Sequence, residues 1–355
     1  MPFDGEAAAF EGWTTRNEYW LEQGRSAARR RNKRTRATHP LILSVHGVNL
    51  RIERGVLHIR NGFTHYPQER ETFQFFRGDL NLPTRIIMLD GSGGISFDVL
   101  GWLAEQGTAL VQLDWRGDAV TVIGGSGYAG NPAKIGWQVS TRDEPAKRLA
   151  FSTNIVRSKV AGSINTLKTA LPQSAAVVRA ITKLEGELTT LSERPPADVA
   201  GLRGIEGRAA GAYFAAWNGV ELNWKSTTRY PVPEAWRLIG WRASVRAGMK
   251  PKNVNANHPL NAMLNYAYAA LQSSLQIEAV ANGFDPTIGI MHHAHRGVPA
   301  YVFDVMEPER PKVEAAVLRF ALGEAFTGAD FVITADGTCR LAPQLARRIV
   351  SLTDR

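Results

Sequence analysis

The sequence predicts an α+β protein, with an N-terminal β-rich domain followed by a larger all-helical domain. Three observations predict it. From Leu41 to about Ile123, short runs of β-branched and large apolar residues alternate with turn signals. Beyond about residue 140, apolar positions recur at helical spacing over long stretches. The chain has 355 residues and is 44% hydrophobic, enough to bury a sizeable core in two domains. The expected boundaries are 1–40 for a basic N-terminal arm, 41–125 for the β-rich domain, 126–140 for a linker and 141–355 for the helical domain.

The arm ends in RSAARRRNKRTR, Arg25 to Arg36, with seven basic residues in twelve. Such a block repels itself, so it reads as a mobile arm, either solvated or lying on phosphates. Next, LILSVHGVNLRIERGVLHIR offers strands with a turn near Arg54-Gly55. TFQFF, TRIIMLD, TALVQLD and AVTVI are further strands. One helix interrupts them: Ser96 can cap it, Val99, Trp102 and Leu103 share a face, and Gly107 ends it. GGSGYAG, Gly124 to Gly130, contains GxGxxG, but Asn131-Pro132 comes next and is expected to open a loop, so a linker is preferred over a dinucleotide site. GSGG, Gly91 to Gly94, lacks the Lys-Ser/Thr of a phosphate loop and reads as a turn.

The helical part starts with PAKRLAFSTNIVRSKVAGSINTLKTAL, whose Leu149, Val156, Val160 and Leu167 point to a core while Lys147, Arg148, Arg157 and Lys159 supply positive charge. SAAVVRAITKLEGELTTLSE is a second helix, stopped by Pro195-Pro196. A third starts near Asp198. A fourth, HPLNAMLNYAYAALQSSLQIEAVANG, is capped by Asn257 and closed by Gly283, and a last one comes after Pro311. Between the third and fourth, Lys225, Arg229, Arg237, Arg242, Arg246, Lys250 and Lys252 interleave with Tyr230, Trp236 and Trp241. Basic groups there could neutralise phosphates and rings could stack on unpaired bases; the alternative is an amphipathic packing segment.

The formal net charge of +9 and pI of about 9.8 favour a polyanionic partner. No run of about 18 apolar residues could span a bilayer, and no broad-faced basic amphipathic helix suits a membrane surface. Cys339 is the only cysteine, which excludes an internal disulfide or a thiolate-rich zinc site. A cytoplasmic protein is expected.

The chemistry concentrates in GIMHHAHRGVPAYVFDVMEPERP, Gly289 to Pro311. Asp304 and Glu307 are one helical turn apart. His292 closes an apolar run, while His293 and His295 are expected to be exposed. Two carboxylates with one imidazole suit a hard or borderline divalent cation such as Mg²⁺ or Mn²⁺; a zinc site of His292, His293 and His295 matches no established spacing. Glu206 lies among small residues in RGIEGRAAGAY, beside a stripe of Leu202, Ile205, Ala209 and Ala212. A carboxylate there needs a partner or a cation, or else is a surface charge.

GIEGRAAGAYF, HPLNAMLNYAYAAL and GFDPTIGIMH…FDVMEPERP, in this order over about 110 residues, resemble three successive motifs of the CRISPR-associated spacer-acquisition integrase family. The resemblance implies a β-rich domain before a helical catalytic domain. It implies a metal site of Glu206, His292 and Glu307, with Asp304 as a supporting acid, holding Mn²⁺ or Mg²⁺. The implied reaction inserts short DNA fragments into a CRISPR array by attack of a 3′-hydroxyl on a phosphodiester. Lys159, Arg208, Arg237, Arg242, Arg246 and Lys250 are expected to meet double-stranded DNA. A homodimer, formed through the β-rich domain and bridged to a second by a small partner subunit, is the implied assembly. Two departures stand out: the arm through Arg36 has no general counterpart, and His293-Ala294 replace residues that are often polar or acidic. A structure-specific repair nuclease using the same site, or a DNA-binding scaffold without catalysis, are the alternatives.

Overall fold

The computed structural model describes residues 12–26, 36–37, 39–44, 47–62, 70–89, 92–113, 119–123, 130–240, 256–292, 298–334 and 337–353. The N-terminal part forms two four-stranded sheets. In the first, β1 (Leu41–Ser44) runs parallel to β5 (Arg85–Leu89), β5 parallel to β7 (Ala109–Leu113), and β7 antiparallel to β8 (Ala119–Ile123). In the second, β4 (Glu71–Phe75), β3 (Val56–Asn61) and β2 (Val48–Glu53) form an antiparallel meander, with β6 (Gly93–Ile95) parallel to β2 at its edge. The β2–β3 hairpin turns at Arg54-Gly55, both at positive φ, as the sequence predicts. GSGG is not only a turn: Gly93 and Gly94 belong to β6 and pair with Val48 and Asn49.

Period-2 alternation gives the first sheet two buried faces. Leu43 and Ile86 pack toward the second sheet and against Val99, Trp102 and Leu103 of α2 (Phe97–Glu105). Ile87, Leu89, Val111 and Leu113 face the opposite way, into the core of the helical part. The β-rich region and the helices therefore share a core.

α1 (Trp13–Ser26) precedes the strands. After them come α3 (Pro132–Asp143), α4 (Pro145–Ala170), α5 (Ala175–Glu193), α6 (Val199–Ala215), α7 (Pro259–Ala281), α8 (Ala300–Met306), α9 (Arg310–Gly323) and α10 (Pro343–Ser351). α4 packs on α5, α6 and α9, and α7 packs on α9, α8 and the first sheet. This region also carries two short strand pairs: β9 (Asn223–Trp224) with β10 (Ala325–Phe326), and β11 (Phe331–Ile333) with β12 (Cys339–Leu341).

Several local expectations are corrected. Most of 126–140 is not linker: Asn131 caps α3 by accepting from the N–H groups of Ala133 and Lys134, and Pro132 occupies the first turn, where its missing N–H costs nothing. The GxGxxG glycines before Gly130 lie outside the described residues. His258, not Asn257, caps α7. The N-terminal segment is not wholly an arm. Arg16 and Trp20 of α1 reach Asp330, with Arg16 Nε 3.0 Å and Trp20 Nε1 2.9 Å from Oδ1, and Trp20 is buried in the helical core. Arg36 donates to the carbonyls of Leu82, Pro83 and Gln106 instead of facing outward. Residues 27–35, the rest of the basic block, lie outside the described residues.

Candidate functional site

α4, α6 and the α8–α9 junction meet at one place, and small residues let them come close. A Cβ on Gly162 of α4 would stand 3.0 Å from the Pro311 Cβ at the start of α9, and Thr166 Oγ1 donates to the Pro311 carbonyl at 2.8 Å. α6 starts at Asp198, whose carboxylate accepts from Gly201 N–H. It buries Leu202, Ile205, Ala209 and Tyr213, and Glu206 stands beside that stripe with its side chain only 18% exposed.

Glu206 and Glu307, far apart in sequence, converge on one cation. Lys159 Nζ of α4 lies 2.6 Å from Glu206 Oε1 and 2.5 Å from Glu307 Oε2. Those two lengths bring the carboxylate oxygens to within roughly 5 Å of each other. Arg310 Nε completes the cluster, 3.0 Å from Glu307 Oε1. Burial alone would raise the pKa of Glu307, but Arg310, Lys159 and His292 together hold it below the ordinary carboxylate value. Burial likewise works against the charge on Lys159, yet the two glutamates outweigh it and keep its pKa raised. The polar network continues inward. The Arg310 guanidinium stacks over the Tyr268 ring, 4.9 Å from its centroid. Tyr268 and Tyr213 both donate their hydroxyls to buried Glu314, from Tyr213 at 2.6 Å.

His292 is positioned by Asp304 of α8, which is fully buried. One Asp304 oxygen accepts from Ile290 N–H at 2.5 Å and Met291 N–H at 3.1 Å; the other accepts from His292 N–H at 2.9 Å and stands 2.7 Å from His292 Nδ1. The carbonyls of the same turn are held from the other side. Arg148 Nε donates to Ile290 and an Arg203 nitrogen to Met291. Gly289 has no room for a side chain: a Cβ would lie 2.5 Å from the His292 carbonyl oxygen and 2.6 Å from Ala300 Cβ. With Nδ1 engaged, Nε2 is the nitrogen left for a ligand or a proton.

Of the residues expected to meet DNA, Lys159 places its ammonium between the two acids. Arg208 is exposed and forms a two-point pair with Glu187, at 2.7 and 2.9 Å. Arg237 pairs with Glu234. Arg242, Arg246 and Lys250 lie outside the described residues, as do Trp241, His293 and His295. Trp236 is no base-stacking platform, being buried against Trp224 with its indole N–H on the Asn257 carbonyl. Sequence reasoning missed Arg310, Glu314, Tyr213 and Tyr268. The first two carried a readable signal: Glu307, Arg310 and Glu314 succeed one another at i, i+3 and i+7, an acid–base–acid series that runs from the α8–α9 junction into α9.

Two carboxylates and an imidazole fit a divalent cation in donor chemistry, and the space between the acids accepts positive charge, since an ammonium stands there. As the side chains stand, no three His, Cys, Asp or Glu among the described residues form a group that could hold a metal ion. Among the described residues no helix is long and apolar enough to cross a membrane.

Residues 42–355 match the family model described as CRISPR associated protein Cas1. A Pyrobaculum aerophilum CRISPR-associated endonuclease Cas1 is 24% identical over 307 residues, 85% of this chain and 88% of that protein. A Geobacter sulfurreducens Cas4 exonuclease/Cas1 endonuclease fusion is 32% identical over 156 residues, 43% of this chain. The match spans 25% of that fusion, and the match to a similar Rhodospirillum rubrum fusion spans 40% of it. Among solved structures, a casposase bound to integration product superposes with a TM-score of 0.68 at 23% identity, covering 89% of this chain and 82% of that one. A Cas1 protein from Thermotoga maritima gives 0.64 at 15% identity, covering 89% of both.

Proposed function

Because the chain belongs to the CRISPR-associated Cas1 family, we propose that it is a metal-dependent DNA integrase and endonuclease that inserts short DNA fragments into a CRISPR array. The observation that carries this reading is the meeting of Glu206 and Glu307 on one cation, beside an imidazole held by a buried carboxylate. Glu206, His292 and Glu307 would hold Mn²⁺ or Mg²⁺. Such an ion would supply Lewis-acid chemistry there, lowering the pKa of an attacking 3′-hydroxyl and offsetting charge on the phosphoryl oxygens. The two glutamates supply the negative charge that attracts it. Asp304 keeps the imidazole turned so that Nε2 can serve as ligand or take the hydroxyl proton. The attack is in line: a new P–O bond forms to the incoming 3′-oxygen and the old 3′-oxygen leaves with a proton. Water in place of the 3′-hydroxyl gives hydrolysis.

Arg208, Arg237, Arg242, Arg246, Lys250 and the basic block before Arg36 are proposed to hold the DNA backbone, with little sequence readout. Homodimer contact is proposed for the β-rich domain; half-exposed Ile95 on edge strand β6 and Phe97 at the start of α2, 91% exposed, support that reading. A small bridging subunit is the expected further partner. A structural neighbour with a TM-score of 0.63 at 17% identity, a Cas6-RT-Cas1–Cas2 complex, supports that expectation, and the casposase supports the chemistry.

The test is strand transfer of a labelled short duplex into supercoiled plasmid, with Mn²⁺ or Mg²⁺, with and without a partner subunit. Label joined to plasmid is expected, and Glu206→Ala, His292→Ala or Glu307→Ala should abolish it while leaving DNA binding nearly intact. Nicking without joining would support a repair nuclease instead. Binding with neither would leave a scaffold.

A further inference from the structure

The four charges at the site already balance. Glu206 and Glu307 carry two negative charges, and Lys159 and Arg310 carry two positive ones. The positions differ. Arg310 pairs with the other oxygen of Glu307, three residues along the same segment, and stacks on Tyr268. Lys159 is the group between the two acids, touching both, with its side chain 22% exposed. A divalent ion and an ammonium cannot occupy that space together, because ligand oxygens approach a hard cation to about 2.1–2.3 Å. Mutual repulsion of the acids favours some cation between them at all times.

We propose that Lys159 is a built-in competitor for the metal: its ammonium closes the gap between Glu206 and Glu307 and must withdraw toward solvent for a divalent cation to enter. This rests on the reading of those glutamates as metal ligands. The lysine stem provides the means. Its four-carbon chain is flexible, and Val160 on one side is buried while Arg157 and Ser158 on the other are exposed, so the tip has a path to the rim. Lys159 acts on the reaction through the acids. It preserves the shape of the metal-free site and sets how tightly the site takes metal.

Two measurements test this with Mn²⁺ alone. In the first, amine acetylation of the wild-type protein is monitored by mass spectrometry, with exposed Lys183 of α5 as reference. Lys159 should be protected without metal, and its rate should rise several-fold in saturating Mn²⁺ while that of Lys183 stays unchanged. An unchanged Lys159 rate in a protein shown to have bound Mn²⁺ overturns the proposal. The second is a calorimetric Mn²⁺ titration of wild type, Lys159→Met and Arg157→Met, the last removing an exposed charge on the same helix. Lys159→Met should bind roughly tenfold tighter, as expected for release of a coupled competitor, and Arg157→Met should change little. Equal or weaker binding by Lys159→Met, or an equal gain in Arg157→Met, overturns it. Glu206→Gln separates the two levels of the argument. If wild type binds Mn²⁺ no better than Glu206→Gln, the metal site itself fails; if Glu206→Gln alone loses binding while Lys159→Met is unaltered, only the competition fails.

Discussion

Asp304 has no contact with solvent and uses both carboxylate oxygens to hold three consecutive backbone N–H groups and one imidazole nitrogen. A charged acceptor with that many donors is worth more than its parts, and replacing it leaves buried donors facing nothing. Asp304→Asn offers one acceptor oxygen and turns an amide N–H toward other N–H groups. The expected result is a stability loss of about 2–3 kcal/mol in urea unfolding, with strand transfer lowered but not abolished because the three proposed ligands remain. Unchanged stability would mean that the turn is held by Arg148, Arg203 and the Gly289 packing alone. The buried pairs around Glu307 work differently. Each acid touches a cation on one side and a second charged group beyond it, so a single truncation strands a charge instead of removing a pair.

α4, α6, α7, α8 and α9 all bring residues to the site, and what fixes their reach is how each helix starts and what it presses against. α8 and α9 are separated only by Glu307-Pro308-Glu309, and the close approach of α4 at Gly162 sets where α9 begins. α7, which supplies Tyr268, starts on His258, whose Nδ1 accepts from Leu260 N–H at 3.2 Å. Burial depresses the His258 pKa from 6.5 to about 4, so the folded protein keeps the ring neutral and able to cap. The unfolded chain takes up its proton first as pH falls. Stability from this group is therefore complete above about pH 6.5 and is lost progressively toward pH 4, by up to about 3 kcal/mol. Thermal melts between pH 7.5 and 4 should show that slope. His258→Asn, which keeps a capping acceptor without titrating, should flatten it.

At the scale of the molecule, distant ends of the chain are tied into one body. The first sheet is covered on one face by the second sheet and on the other by the helical core. Arg347 of α10 pairs with Glu71 of β4, and Arg16 of α1 is buried against Asp330. Cutting the chain after Arg36 would therefore remove a helix from the core and could not isolate the basic block. Charge-neutral substitution does: replacing Arg29, Arg30, Arg31, Lys33 and Arg34 by Gln should flatten the slope of log affinity for DNA against log salt while leaving the melting temperature unchanged. Arg16→Ala should do the reverse, costing about 3–5 kcal/mol by leaving Asp330 buried and unpaired while sparing the salt slope.

Local patterns alone determined much of this protein. Period-2 runs marked β4, β5, β7 and β8, and the Arg54-Gly55 turn marked the β2–β3 hairpin. Helical spacing marked α2 and α4 to α7, and the three ordered motifs pointed to the family. These signals survive because each depends on neighbours within a turn or two of chain. Tertiary structure decided the rest. Asn131-Pro132 can open a loop or cap a helix, and the packing of residues 132–143 on α4 selects the cap. Trp236 could have stacked on a base, but contact with Trp224 and Asn257 puts it in the core. Lys159 read as one positive charge among several on its helix, expected to meet DNA. Only the packing of α4 against α6 and α9 brings its ammonium between two glutamates, because long-range electrostatics is set by distances in space that sequence separation does not encode.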